Sequence, residues 1–142
     1  MKVLTYTLVT GGSGFIGSHV TDKLVEKGFD VRVFDKRKPL REDVEWFTGD
    51  LLNEKDVLEA CRNVDVIFHL ASVADVNVAL SHPEMCIGVN ENGTLNLLKA
   101  TVAEEVERVI LASTSWVYGK TNSVADESIP IPMPDHIYTK TK

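Results

Sequence analysis

Short apolar runs rich in β-branched residues alternate along this chain with stretches whose apolar positions recur every three or four residues. The run VLTYTLVT, residues 3–10, predicts a first strand ending at Gly11-Gly12. FIGSHVTDKLVEKG, residues 15–28, predicts a helix with Phe15, Ile16, Val20, Leu24 and Val25 on one helical face and Gly28 as a left-handed cap. DVRVFD (30–35) and VEWFTGD (44–50) predict a second and a third strand, separated by the charged loop KRKPLRED. Asn53 is placed to cap a helix over 54–62, with Glu54 and Asp56 in its first turn where the helix dipole favours acids. VDVIFHLA (64–71) is nearly all apolar, as expected of a strand with both sheet faces covered. Residues 83–105 predict one long helix, with Ile87, Leu95, Leu98 and Val102 turned inward and Gly93 allowing close packing on the sheet. ERVILAS (107–113) predicts a fifth strand. A loop with Pro130, Pro132 and Pro134 comes next, and then a last helix holding residues 136–142.

This strand–helix rhythm implies an α/β fold, a Rossmann-type doubly wound parallel sheet in the order 3-2-1-4-5. The sheet is expected to stop after its fifth strand and the start of the following helix. No internal repeat, linker or low-complexity tract divides the 142 residues, so they read as one domain, 1–142. In such a sheet, ligands bind outside the carboxyl ends of the strands, where the order reverses between strands 1 and 4.

Composition narrows the function classes. Hydrophobic residues are 44% and charged residues 25%, an ordinary globular mix. The net charge of −6, with no basic face to offset it, argues against nucleic acid as a partner. No apolar run approaches membrane-spanning length, and the N-terminus lacks the apolar core and cleavage site of a signal peptide. Cys61 and Cys86 have no CxxC or Cys/His ligand spacing, so no metal is expected; they read as reduced, packed thiols of a cytoplasmic protein.

Candidate chemistry begins at TGGSGFIGSH, which sets Gly11, Gly14 and Gly17 three apart. Gly11 permits a tight turn off the strand. Gly14 lets bare backbone approach a pyrophosphate at the helix N-terminus, and Gly17 lets the helix lie close to the sheet. Phe15 and Ile16, between the last two glycines, are counted with these cofactor contacts. The trio follows a predicted strand, opens a predicted helix and is answered by Asp35 at the end of the second strand, which makes it a dinucleotide signature. No Lys-Ser/Thr comes after the last glycine, which excludes a Walker phosphate loop. Asp35 is expected to accept hydrogen bonds from the adenosine ribose and to repel a 2′-phosphate, favouring NAD over NADP. Lys36 and Arg37 follow as loop charges that soften this preference; Lys36 joins the candidate contacts.

TGGSGFIGSH, GDL at 49–51, HLAS at 69–72, STSWVYG at 113–119 and the closing YTKTK together resemble the extended short-chain dehydrogenase/reductases, the NAD-dependent sugar-nucleotide epimerases and dehydratases. The resemblance covers the whole chain in order. It implies that Asp50 and Leu51 border the adenine, that Leu70, Ala71 and Ser72 line the cofactor beyond the fourth strand, and that Asn90 reaches the cofactor side of the site. His69 reads as a strand-end packing residue.

Tyr138 and Lys142 are four apart, which puts them on one side of a helix. A free tyrosine has a pKa of about 10, too high for a base at neutral pH. A nearby ammonium favours the phenolate. The pair can then take a proton from a sugar hydroxyl while hydride leaves the same carbon for NAD. The resemblance adds Thr114 as the hydroxyl that holds the substrate oxygen, and counts Tyr138 and Lys142 as cofactor contacts too. Where dehydratases of the family carry an Asp-Glu pair, this chain has Ser115 and Trp116; where the UDP-glucuronate decarboxylases read STSEVYG, Trp116 replaces the acid. Epimerisation at C4 needs no extra acid, so the resemblance implies UDP-glucose/galactose 4-epimerase-like chemistry on a UDP-sugar. A decarboxylase or dehydratase relative, or an NAD-binding module without turnover, stands as the alternative. Family members continue well past YxxxK into a substrate domain, so the chain is expected to be an N-terminal piece. Its fifth strand would then be left as an open edge that invites a second copy.

Overall fold

The computed structural model describes residues 6–122 and 124–142; expected strand positions 3–5 lie outside them. Among the described residues, five strands form one sheet: β1 (Tyr6–Thr10), β2 (Asp30–Phe34), β3 (Glu45–Phe47), β4 (Val66–His69) and β5 (Arg108–Leu111). Their order is β3-β2-β1-β4-β5 and every pairing is parallel, as the alternation of runs requires. Side chains alternate across a strand, so neighbours on β1 feed opposite cores. Leu8 packs with Phe34, Val57, Ile67, Leu97 and Ala100 beneath α2 (Glu54–Ala60) and α5 (Gly93–Ala103). Val9 packs with Leu24, Val31 and Val33 beneath α1 (Phe15–Glu26). Each fully buried aliphatic of this kind contributes roughly 1.5–3 kcal/mol.

Local capping agrees with the sequence. Asn53 accepts from the Lys55 amide at the start of α2, and Gly28 stands in the left-handed region just past α1. The segment before α5 departs from it. The one helix expected over 83–105 is instead α4 (Pro83–Ile87), a π-helical turn (Gly88–Asn92) and α5, and an unexpected α3 (Val76–Ser81), capped by Asp75, precedes them. His82 and Pro83 divide α3 from α4, because a proline disfavours helical backbone in the residue before it.

The expected helix faces also need correcting. On α1 the buried positions are Gly17, Thr21 and Leu24, while Phe15 is 81% exposed and Ile16 is exposed as well. On α5 they are Gly93, Leu97, Ala100 and Thr101, while Leu95, Leu98 and Val102 are exposed, as is Ile87 on α4. On α1, Val20 and Val25 pack against the core beside Leu24, so only Phe15 and Ile16 leave it. α5 carries two apolar stripes, and the one with small residues faces inward, because those residues let the helix approach its neighbours. A Cβ on Gly93 would lie 2.9 Å from the Leu51 Cβ, so its close contact is with that side chain. Finally α6 spans Ile137–Lys140, with Thr141 as its cap and Lys142 next in the chain.

Candidate functional site

The carboxyl ends of β1 and β4 part at the centre of the sheet, and the glycine turn fills the gap. Gly11 has a φ of +71°, and a Cβ there would sit 2.7 Å from the Ala71 nitrogen on the neighbouring strand's exit. A Cβ on Gly17 would sit 2.0 Å from the Gly11 oxygen, so no side chain fits between α1 and the turn. Gly14 is the N-cap of α1 and no side chain caps that helix. The first amides of a helix have no partner of their own. Here they are left to an anion, with bare backbone around them.

The acidic side of the site is knitted to this turn. Asp35 accepts from the Ser13 amide at 3.1 Å and from the Arg37 amide at 2.9 Å, which aims its carboxylate at the turn. Ser13 Oγ in turn donates to the Arg37 carbonyl at 2.6 Å. Lys36 pairs with Asp50 at 2.6 Å, and that bond, with the Leu52 amide, holds the Asp50 carboxyl below its ordinary range.

One cleft of about 770 Å³ runs along these groups. Its wall includes Gly11, Gly14, Phe15, Ile16, Gly17, Asp35, Lys36, Asp50, Leu51, Leu70, Ala71 and Ser72, together with Tyr138 and Lys142. The volume lies within the range of small-molecule and cofactor sites, about 300–1,000 Å³. Phe15 and Ile16 are exposed because they face this cleft. Phe34, Met85, Val89, Ala112 and Ser113 also line it, and no sequence pattern singles them out as site residues. Their common signal is position: strand ends and the segment entering the π turn.

Two of the expected site residues lie elsewhere. Thr114 caps the 3₁₀ turn Ser115–Tyr118, its Oγ1 accepting from the Trp116 amide, and it is outside the cleft wall. Asn90 is buried behind the cleft, beside a cavity of about 40 Å³ shared with His69, Thr94, Thr141 and Lys142. Burial draws the Lys142 ammonium below its ordinary pKa. Trp116 meets the His136 ring edge-on at 5.0 Å, and His136 lies parallel to the Tyr138 ring at 6.2 Å.

His69 is the centre of a buried relay of hydrogen bonds whose directions are set by counting protons. The Thr94 hydroxyl lies 2.6 Å from the Asn90 carbonyl, which can only accept, so its proton points there. His69 Nε2, 2.9 Å from the same hydroxyl, must therefore donate to it. Nδ1 is then the bare nitrogen, and Thr10 Oγ1 donates to it at 2.6 Å while accepting from the Ala71 amide. The neutral imidazole suits this site. Burial, and then the charge on Lys142, push the His69 pKa down to about 4.

The comparisons with known proteins agree with this geometry. Residues 7–142 match the model of the NAD dependent epimerase/dehydratase family. The chain is 37% identical to a 3-beta-hydroxysteroid dehydrogenase of Mycolicibacterium neoaurum over 145 residues, covering 95% of this chain and 40% of that protein. It is 37% identical to a UDP-N-acetyl-alpha-D-glucosaminuronate decarboxylase of Bacillus cytotoxicus, covering 80% of this chain and 37% of that one. Among solved structures, the UDP-glucose 4-epimerase of Thermus thermophilus in complex with NAD superposes with a TM-score of 0.91 at 36% identity, over 97% of this chain and 47% of that one. The chain thus spans less than half the length of each of these three. It belongs to the NAD dependent epimerase/dehydratase family.

Proposed function

We propose, starting from that membership, that the chain is the cofactor-binding part of an NAD-dependent sugar-nucleotide 4-epimerase acting on a UDP-hexose. The observation that carries this reading is that Tyr138 and Lys142 share one cleft with the glycine turn and Asp35. The residues fit a dinucleotide. The turn has no room for a side chain at Gly11 or Gly17, the opening amides of α1 are uncapped, and Asp35 is held toward them. Gly14–Gly17 would hold the pyrophosphate, Asp35 and Asp50 the adenosine, and Tyr138 would face the nicotinamide end. Bound there, NAD would supply the hydride acceptor and donor that oxidation and reduction at the sugar C4 need.

The remaining steps fall to the chain's own groups. Tyr138 takes the proton of the C4 hydroxyl and later gives one back, with Lys142 on the same cleft wall as its cationic partner. Thr114, the cap of the 3₁₀ turn, is the hydroxyl that the family resemblance assigns to the same oxygen. Trp116 and Ser115 supply no carboxylate, which favours epimerisation over elimination of water or decarboxylation.

The test is to incubate the protein with NAD and UDP-galactose and monitor UDP-glucose. Interconversion that Tyr138→Phe abolishes is the expected result. Net accumulation of reduced NAD with a ring alcohol would instead make it a dehydrogenase. Tight NAD binding with no conversion of any sugar nucleotide would make it a cofactor-binding module.

A further inference from the structure

α6 (Ile137–Lys140) carries Tyr138, and Thr141 and Lys142 come next in the chain. Thr141 Oγ1 donates to the Tyr138 carbonyl at 2.9 Å, closing the last turn. The same oxygen accepts from Asn90 Nδ2 at 2.9 Å.

Asn90 is a firm anchor. It is 5% exposed, and its side chain is engaged at both ends. Oδ1 accepts from the Val73 amide at 2.7 Å, and Nδ2 also approaches the Val73 carbonyl at 3.2 Å and Cys86 Sγ at 3.4 Å. Its backbone carbonyl ends the relay through Thr94 and His69 to Thr10, the residue before Gly11. The wide π turn is what aims this amide at the chain end.

We propose that Thr141 is a positioning residue for the Tyr138–Lys142 pair, acting through the buried side chain of Asn90; this rests on the reading of that pair as the proton-transfer group. The hydroxyl, rather than the bulk of the side chain, carries the role. It transmits the register of the sheet centre to the two residues that must face the nicotinamide end of the cleft.

The experiment titrates the Tyr138 phenol by ultraviolet difference spectroscopy, subtracting Tyr138→Phe in each background, with thermal melting in parallel. Thr141→Val keeps the shape and removes the hydroxyl; Thr141→Ser keeps the hydroxyl. The expected result is that Val raises the Tyr138 pKa, while Ser leaves it where the parent has it. Thr141→Ala serves in place of Val should Val disturb the fold. Lys142→Met is the control. If it moves Tyr138 and Thr141→Val does not, or if Ser behaves as Val does, the positioning role is overturned while the pair stands. If Lys142→Met leaves Tyr138 unmoved, the reading of the pair falls, and the positioning role with it.

Discussion

Beside the glycine turn, β1 has a strand on each side and a core on each face. Beside Tyr138 the picture is different: β5 has no outer neighbour among the described residues, and Ile110 and Leu111 on it are exposed. The cofactor side is fixed by backbone contact, with glycines pressed against carbonyl and amide atoms. The Tyr138 side hangs on directed side-chain hydrogen bonds, of which Asn90 to Thr141 is one and the cap of α6 by His136 another. Close packing tolerates no added atom. A hydrogen-bonded clasp tolerates atoms but not the wrong proton. The two regions should therefore fail under different perturbations.

The largest expected effect breaks the packed side alone. Gly17→Ala places a methyl 2.0 Å from the Gly11 oxygen, so the turn or α1 must shift. We expect a loss of about 3 kcal/mol or more in urea unfolding, and NAD binding weakened beyond detection in a fluorescence titration. A variant that binds NAD as the parent does would show the contact to be slack.

The next effect strikes the relay that joins the two sides. His69 is 2% exposed, with a native pKa pushed down to about 4 against an unfolded value of about 6.5. Between those values the unfolded chain takes up a proton that the native chain refuses. Stability is therefore fully present above about pH 6.5 and falls as the pH drops toward 4, by at most on the order of 3 kcal/mol. Urea unfolding between pH 7.5 and 4 measures this slope. His69→Asn should lose the part of the slope that the imidazole causes, leaving the carboxylates' share.

The smallest effect sharpens the cofactor side. Asp35→Ala should weaken NAD binding about tenfold, from one lost charge-assisted hydrogen bond, and NADP binding by less. Equal losses for both cofactors would remove the ribose role from that carboxylate.

The sheet was legible because its signals are local and redundant. β-branched runs such as VDVIFHLA, the turn at Gly11 and the cap at Asn53 each specify one element, and their sequence allows little but the observed order. The cleft wall was legible in part for a related reason: Gly11, Asp35 and Ala71 all sit where a strand ends. The helix faces were not. Phe15 is apolar for the cleft, and periodicity cannot tell a ligand from a core. The π turn was hidden because GVNEN has nothing but a helical pattern to show. α3 was not expected; the Asp75 side chain caps its start.

The π turn has one more consequence. An α-helix advances about 100° per residue, so a turn that is one residue wide of the ideal swings α4, before it, around the axis of α5, after it. Removing a single residue such as Glu91 would leave every chemical group of the clasp in the chain. It would nonetheless point the Asn90 amide away from the chain end. What brings Asn90 to Thr141 is a count of residues, and a shortened chain that still folds would show the two apart.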